Sequence, residues 1–563
     1  MSCQLANKGV LSLALLALFP LGCTRLGFAP SDGEPRPTLD RTGESLDGTT
    51  PDAHEVDLAW DTMHATRDAG MESTLDAHEV DLAWDTVHAT RDAGTGSTPD
   101  AHEGDLAWDT VDMTRDASVE GSTPDTTHDA GATADTLPPE YTWDRTFGDT
   151  FNDYITDVAV DNSGNIYVTG LFEGTVDLGG GNVTSTSGDQ DVFVLSISTD
   201  GAHRWQRVLK GISMGSHIAV DSSGNVYVTG RFPGTIDLGA GNVTSKGLDD
   251  IYITSFSSTG VHRWQKTFGG ISHDAGNAVA VDSDGNIYVA GTFEGVANLG
   301  GGDATSHGGS DGFVTSFSGA GTYRWQKSFG GALDDAVWGV TADRTGNVYL
   351  TGRFEGTANL GGGDATSQGF TDIFITSFSP LGVHRWQQAL GGADLNLGGG
   401  VATDSSGNVY VTGRASGTAN LGGGMLTSAG SADIFVTSFS AAGIHRWQKM
   451  MGSFHEDEGE AIAVDTHDNV YLAGYFRYTV DLGGGDVTSN GDIDIFVTSF
   501  SAAGVHRWQT TMGGAQRDYG FGLAVDQAAG VYVGGAFQDR VDFGGRRVTS
   551  NGGYDIYLVK FAP

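Results

Sequence analysis

The side chains with the strongest claim to chemistry lie in a short polar stretch, Asp282-Ser283-Asp284-Gly285-Asn286, which recurs in variant form, for example as Asp221-Ser222-Ser223-Gly224-Asn225. The alternating oxygens of Asp282, Asp284 and Asn286 are of the kind a hard cation such as calcium takes as ligands. Glycine, however, arrives at the fourth position rather than the sixth, and no acidic residue closes the loop at the twelfth. Turn chemistry accounts for the same residues, because aspartate bonds nearby amides and glycine takes positive φ. The stretch is read as a turn, with no metal site and no cofactor assigned, and calcium is the one ion to test.

No pattern for covalent or phosphate chemistry is legible. There is no Gly-x-Ser-x-Gly elbow and no His-Glu-x-x-His, and runs such as Gly361-Gly362-Gly363 lack the helix and lysine that phosphate binding needs. No catalytic residue is assigned. The formal charge of −41 disfavours nucleic acid and anionic lipid headgroups, whose binding is dominated by Lys and Arg.

What must position these residues is a repeat. Tryptophans fall at 143, 205, 264, 325, 386, 447 and 508, mostly 61 residues apart, a period that indicates a propeller or a solenoid. Each unit runs from an apolar strand such as 278–281 through a polar turn into a second strand at 287–290. A glycine-rich connection then leads to a third strand, as at 372–378, and a fourth, as at 384–387. Four strands per unit is the content of a propeller blade. Apolar residues at successive positions, as in Val226-Tyr227-Val228, imply sheets covered on both faces.

The repeat is also permuted: it opens on a lone tryptophan strand near Trp143 and ends on a lone third strand, 555–561. Pairing the two would complete a blade and remove both exposed edges. The expected fold is all-β, a seven-bladed β-propeller over residues 141–563. Units such as Val220-Asp221-Ser222-Ser223-Gly224-Asn225-Val226-Tyr227-Val228-Thr229-Gly230, followed by an Asp-Ile-Phe strand and the tryptophan strand, resemble the SBBP repeats of exported bacterial proteins. The resemblance implies the propeller fold and no particular activity.

Residues present in every unit, including Asp191, Asp250, Asp311, Asp372, Asp433, Asp494 and Asp555 and the His-Arg-Trp triplet, read as architecture. A site on a pseudo-symmetric ring should instead show as departures confined to certain units. Strand parity puts the second-to-third connections and the links between units on one side. The links there hold Asp153, Asp274, Asp334, Asp335, Glu456, Asp457 and Asp518, an expected acidic rim that is read first as solvated surface and otherwise as a site for a basic protein patch, a cationic ligand or a divalent ion.

Ahead of the repeats, Lys8, the apolar run 10–18 and Leu21-Gly22-Cys23 form an export signal over 1–22, too short to span a bilayer permanently. Its ending resembles the lipobox of bacterial lipoproteins, although Pro20 departs from it. Cys23 would carry the lipid and be the only membrane contact, leaving no thiol in the fold. Residues 24–140 hold 27 Asp and Glu against 6 Arg and no Lys, a composition expected to remain disordered. A unit from Asp52 to Trp60 recurs there at a 24-residue spacing, with His54, His78 and His102 in register, and reads as a spacer.

The expected whole is an exported protein, lipid-anchored to the cell envelope at the outer membrane or cell surface. It would be a non-catalytic module binding an extracellular protein or glycan. A propeller hydrolase or lyase acting on polysaccharide, or a calcium-dependent adhesin, are the alternatives. The ligand and the oligomeric state are not legible.

Overall fold

The computed structural model describes residues 139–186, 190–211 and 214–562. The export signal, Cys23 and the acidic 24-residue repeats lie outside the described residues. Among those described there is no helix, and strands pair antiparallel throughout.

One unit shows the pattern: Ala275–Val281, Ile287–Asn298, Asp303–Phe317 and Tyr323–Gly331 pair in chain order. The units 154–209, 214–268, 336–392, 396–451 and 458–514 repeat that order. The last unit, Asp518–Val525, Val531–Asp542 and Arg547–Phe561, takes its fourth strand from the other end of the chain. Tyr141–Phe147 pairs antiparallel with Arg547–Phe561, Trp143 opposite Lys560 and Phe147 opposite Ile556. The chain is thus an all-β propeller of packed four-stranded sheets.

The turn read from the sequence forms as expected. Asp282 Oδ1 accepts the amides of Asp284 (3.0 Å) and Asn286 (2.8 Å), and Gly285 takes φ +77°. The glycine-rich connection holds more than was expected, a short hairpin of Thr357–Asn359 with Asp364–Thr366. It docks on the preceding unit's fourth strand through Gly330 opposite Asn359 and Gly331 opposite Ala358. Glycine is needed at 362 because a Cβ there would lie 2.1 Å from the His384 ring. The triplet histidine packs on the glycine turn.

The core lies between neighbouring sheets. Tyr227, Ile251 and Ile253 of one unit pack with Val279, Ile287, Phe293 and Phe317 of the next, and burying each such side chain contributes about 1.5–3 kcal/mol. Inside this layer one tyrosine per unit carries a hydroxyl that must be satisfied. Tyr349 donates to Asp343 (2.9 Å), the turn aspartate, and accepts from Arg385 (3.0 Å) of the His-Arg-Trp triplet. Arg385 also donates to Ser377, and both Arg385 (3.1 Å) and Trp386 (3.0 Å) donate to the Ala441 carbonyl of the following unit. The same bonds recur at Tyr167, Tyr227, Tyr288 and Tyr410.

Tyr349→Phe strips two hydrogen bonds from a buried site and should cost about 1–3 kcal/mol in denaturant unfolding. A loss under roughly 0.5 kcal/mol, the bottom of the range for a net hydrogen bond, would mean the relay does not hold the units together.

Candidate functional site

First strands of successive units neighbour one another and surround the axis. Each carries a β-bulge, for example between Ile155 and Asp157, Gly276 and Ala278, Val337 and Gly339, Gly459 and Ala461, and Gly520 and Gly522. Bulges re-aim side chains and cluster beside functional sites. The bulged residue differs among these five units: Thr156, Asn277, Trp338, Glu460 and Phe521. Asn277 spans to the next first strand, its Nδ2 donating to the Val337 carbonyl at 2.9 Å.

Buried charge and aromatic rings gather in one sector, on the side of the short hairpins. Arg414, at the end of a second strand, is buried. It pairs with Glu456 in the following link and, at 3.3 Å, with Glu458 at the head of the next first strand. Tyr475 donates to Glu458 at 2.8 Å. Burial, and then the Glu458 carboxylate, raise the Glu460 carboxyl well above its usual range, against the pull of Arg414. Burial chiefly, followed by Glu458, raises the Tyr475 hydroxyl as well.

An aromatic run continues from this ionic cluster. Tyr475 meets Tyr519 edge-on at 5.1 Å, Tyr519 stacks on Phe521 at 5.5 Å and meets Tyr554 at 5.9 Å, and Tyr554 meets Tyr154 at 5.6 Å. These rings come from three units, and in the column of Tyr154 and Tyr519 two other units carry Ala275 and Ala336. Aromatic surface beside fixed charges is the composition of a ligand-orienting wall. At the opposite end of the axis a depression of about 220 Å³ opens among Arg344, Ser405, Thr466 and Gln527. The aspartates in its wall are tied to their own turns, as Asp404 is to Asn408 and Tyr410.

The expected acidic rim needs correction. Five of its seven members, Asp153, Asp274, Asp335, Asp457 and Asp518, are buried. Each carboxylate clamps an amide four residues back and another twenty residues on. Asp335 accepts from Gly331 (2.6 Å) and Glu355 (3.1 Å), and Asp518 accepts from Gly514 (2.7 Å) and Gln538 (3.1 Å). These aspartates lock the head of a first strand to the end of the second and to the previous unit. Of the other two, Asp334 accepts from the Ser310 amide at 2.9 Å, and Glu456 is held by Arg414. The third-strand aspartates are architectural as expected: Asp433 accepts from the Ala429 amide and Asp494 from that of Asn490, each at 2.8 Å. Among the described residues no group of three or more His, Cys, Asp or Glu could hold a metal ion.

Arg414, Glu460, Tyr475, Phe521 and Tyr554 were missed in the sequence. No column signal singles them out, since Arg414 shares its place with Arg231 and Arg353 and the column of Glu460 holds Thr156, Asn277 and Trp338 in other units; only the fold brings them together.

The architecture and this mouth define the class: a propeller of four-stranded repeats with one differentiated sector. Residues 143–171, 211–231 and 387–422 match the SBBP family, described as a beta-propeller repeat. An uncharacterized WD repeat-containing protein, L264, of Acanthamoeba polyphaga mimivirus is 25% identical over 232 residues, 34% of this chain and 17% of that protein. The regulatory protein FlaEY of Caulobacter vibrioides is 29% identical over 138 residues, 24% of this chain and 14% of that protein. The chain therefore spans less than a fifth of the length of either relative. Among solved structures, the WD40 beta propeller domain of Doa1 aligns at a TM-score of 0.37 with 10% identity, covering 76% of this chain and 97% of that one. BamB from Moraxella catarrhalis aligns at 0.31 with 11% identity, covering 67% and 95%.

The buried latches give stability a pH dependence of definite sign. Burial pushes Asp518 from the ordinary 3.8 up to about 8, Asp153 and Asp335 to about 7 and Asp274 to about 6, against the opposing pull of their amide donors. The folded chain then holds protons that the unfolded chain has released. The latches' contribution is complete below the ordinary carboxyl range and is lost as pH rises through about 6 to 8. The melting temperature should fall between pH 5 and pH 8, and Asp518→Asn, which cannot titrate, should flatten that fall. An unchanged slope would mean the buried carboxyl titrates in its ordinary range.

Proposed function

We propose that this chain is a non-catalytic binding module, displayed at the cell surface on a lipid-anchored stalk, that takes an extracellular protein or glycan at the hairpin-side mouth of a closed seven-bladed ring. Two relations support closure. The strand 141–147 completes the last unit, and the first strands Tyr154–Val160 and Asp518–Val525 lie side by side, so no sheet edge is left at the seam.

The observation that carries the binding reading is the differentiated sector, with Arg414, Glu456, Glu458 and Glu460 beside the rings of Tyr475, Tyr519, Phe521, Tyr554 and Tyr154. These charges and rings, drawn from neighbouring units, take no part in the recurring relay between units. A partner that contacts one sector of a rigid mouth meets an orienting aromatic wall and fixed charges together.

The test returns departures to residues that other units use. In Glu460→Thr and Tyr154→Ala the full chain should fold as the parent does, yet bind arrayed extracellular polysaccharides and surface proteins at least about tenfold more weakly, a difference of about 1.4 kcal/mol. The bound polysaccharide should release no new reducing ends. Unchanged binding by both variants would remove this sector as the ligand site, and product release would replace the binding reading with a catalytic one.

The stalk reading has its own check: Cys23→Ser should shift the protein from the detergent-extracted membrane fraction to the soluble fraction. Retention in the membrane would defeat the lipid anchor.

A further inference from the structure

At position 478 the side chain is out of keeping with its backbone. The turn from the second strand into the short hairpin is left-handed in unit after unit, with Gly174, Gly234, Gly295, Gly356 and Gly417 at φ between +59° and +75°. The hairpin imposes this conformation. Gly174 donates to Ser185 Oγ at 2.9 Å and accepts from the Ser185 amide at 2.9 Å. Tyr478 makes the same two bonds, to Ser489, at 2.9 and 2.8 Å, and is held at φ +57°. A bulky residue there is an outlier, and such strain persists where the surroundings over-determine it, often at a ligand site.

The ring gains little burial in return. Tyr478 is 56% exposed and Phe454, in the neighbouring link, 79%. His455 stacks on Tyr478 with centroids 4.7 Å apart and planes at 29°, and Phe454 meets His455 at 86°. The histidine therefore fixes two exposed rings in place. Polar groups adjoin them along the chain: Glu456, itself 39% exposed, follows His455, and Arg477, with its Nε 3.7 Å from Asp492, precedes Tyr478.

We propose that Phe454, His455 and Tyr478 form a glycan-binding platform for neutral pyranose units of a polysaccharide. The proposal rests on the binding reading above and names the ligand class. A pyranose offers an apolar C–H face to an aromatic ring and a rim of hydroxyls to carboxylates and guanidinium groups. Three rings are too few to serve a large hydrophobic protein interface. The formal charge of −41 and the carboxylates of Glu456 and Asp492 repel polyanionic chains, which selects neutral sugars.

Tyr478→Gly is the decisive variant, because glycine is what five other units place on this backbone. The full chain is titrated calorimetrically with neutral hexasaccharides of β-1,4-glucose, β-1,4-N-acetylglucosamine, β-1,4-xylose, β-1,3-glucose and α-1,4-glucose. At least one should bind with a Kd below about 1 mM. Tyr478→Gly and Phe454→Ala should each weaken it about tenfold or more, while Tyr478→Gly melts at or above the parent temperature. No binding by the parent, parental affinity in Tyr478→Gly, or a lower melting temperature for that variant would each overturn the platform. If Tyr478→Gly keeps its affinity while Glu460→Thr loses it, the platform falls and the mouth remains the binding site.

Discussion

The structure depends on one buried hydroxyl per unit. A tyrosine in the second strand fills the layer between sheets, and its oxygen, left without partners there, would cost about 1–3 kcal/mol. The chain satisfies it from both sides, with the turn aspartate accepting and the triplet arginine donating. That arginine and the following tryptophan then bond a carbonyl of the next unit. Turn geometry, sheet and docking between units thus form one chain of bonds, which is why the Asp-x-x-Gly-Asn turn and the His-Arg-Trp triplet repeat together. At the seam the arginine column holds Thr142, and the chain compensates. Lys560, opposite Trp143, sits 4.9 Å from the Tyr532 ring and donates to the Thr199 carbonyl at 3.3 Å, a carbonyl that Trp143 also reaches.

The latches show how so acidic a chain keeps carboxylates inside. Where a first strand begins, the backbone on either side has amides that no ladder partner reaches, and a short aspartate spans two of them at once. The price is desolvation, which raises the carboxyl pKa even though both amides favour the ionised form. In one unit the column holds Asn396, whose Nδ2 donates to the Asp394 carbonyl at 2.9 Å. Charge is therefore not what the position requires; a short polar side chain able to close the link is enough.

Fold and site were unequally legible in the sequence. Period, strand order and the pairing of the two chain ends follow from residue types alone, since β-branched runs, Asp-Gly-Asn turns and tryptophans each have one local meaning. The short hairpin was not legible, because Thr357-Ala358-Asn359 is too brief to carry a strand pattern. The acidic rim was misread because recurrence was applied to the third-strand aspartates but not to the links. There a latch such as Asp335 stands among residues that vary, and its neighbour Asp334 looks the same in one dimension. Burial separates them: Asp335 is 2% exposed, and Asp334 is not buried. Arg414 and Glu460 were invisible because each is ordinary by type, Arg414 even sharing its column with Arg231 and Arg353, and only the fold brings them into one cluster.

That last point bears on how a ring of near-identical units acquires a function. Each column is fixed by a bond or contact, so a departure must either be compensated, as Lys560 compensates Thr142, or be kept at a cost. The mouth sector is compensated: Arg414 answers Glu456 and Glu458, and the tyrosines answer one another by stacking. Tyr478 is compensated only in part, for His455 stacks on it and the hairpin gives it the bonds that glycine makes elsewhere, while its ring stands half in solvent beside Phe454. Drift toward stability would return this position to glycine, since glycine alone occupies the left-handed turn without a steric penalty. A strained, half-exposed ring at the base of the hairpin is therefore stronger evidence of contact with something outside the chain than any residue the ring holds in common.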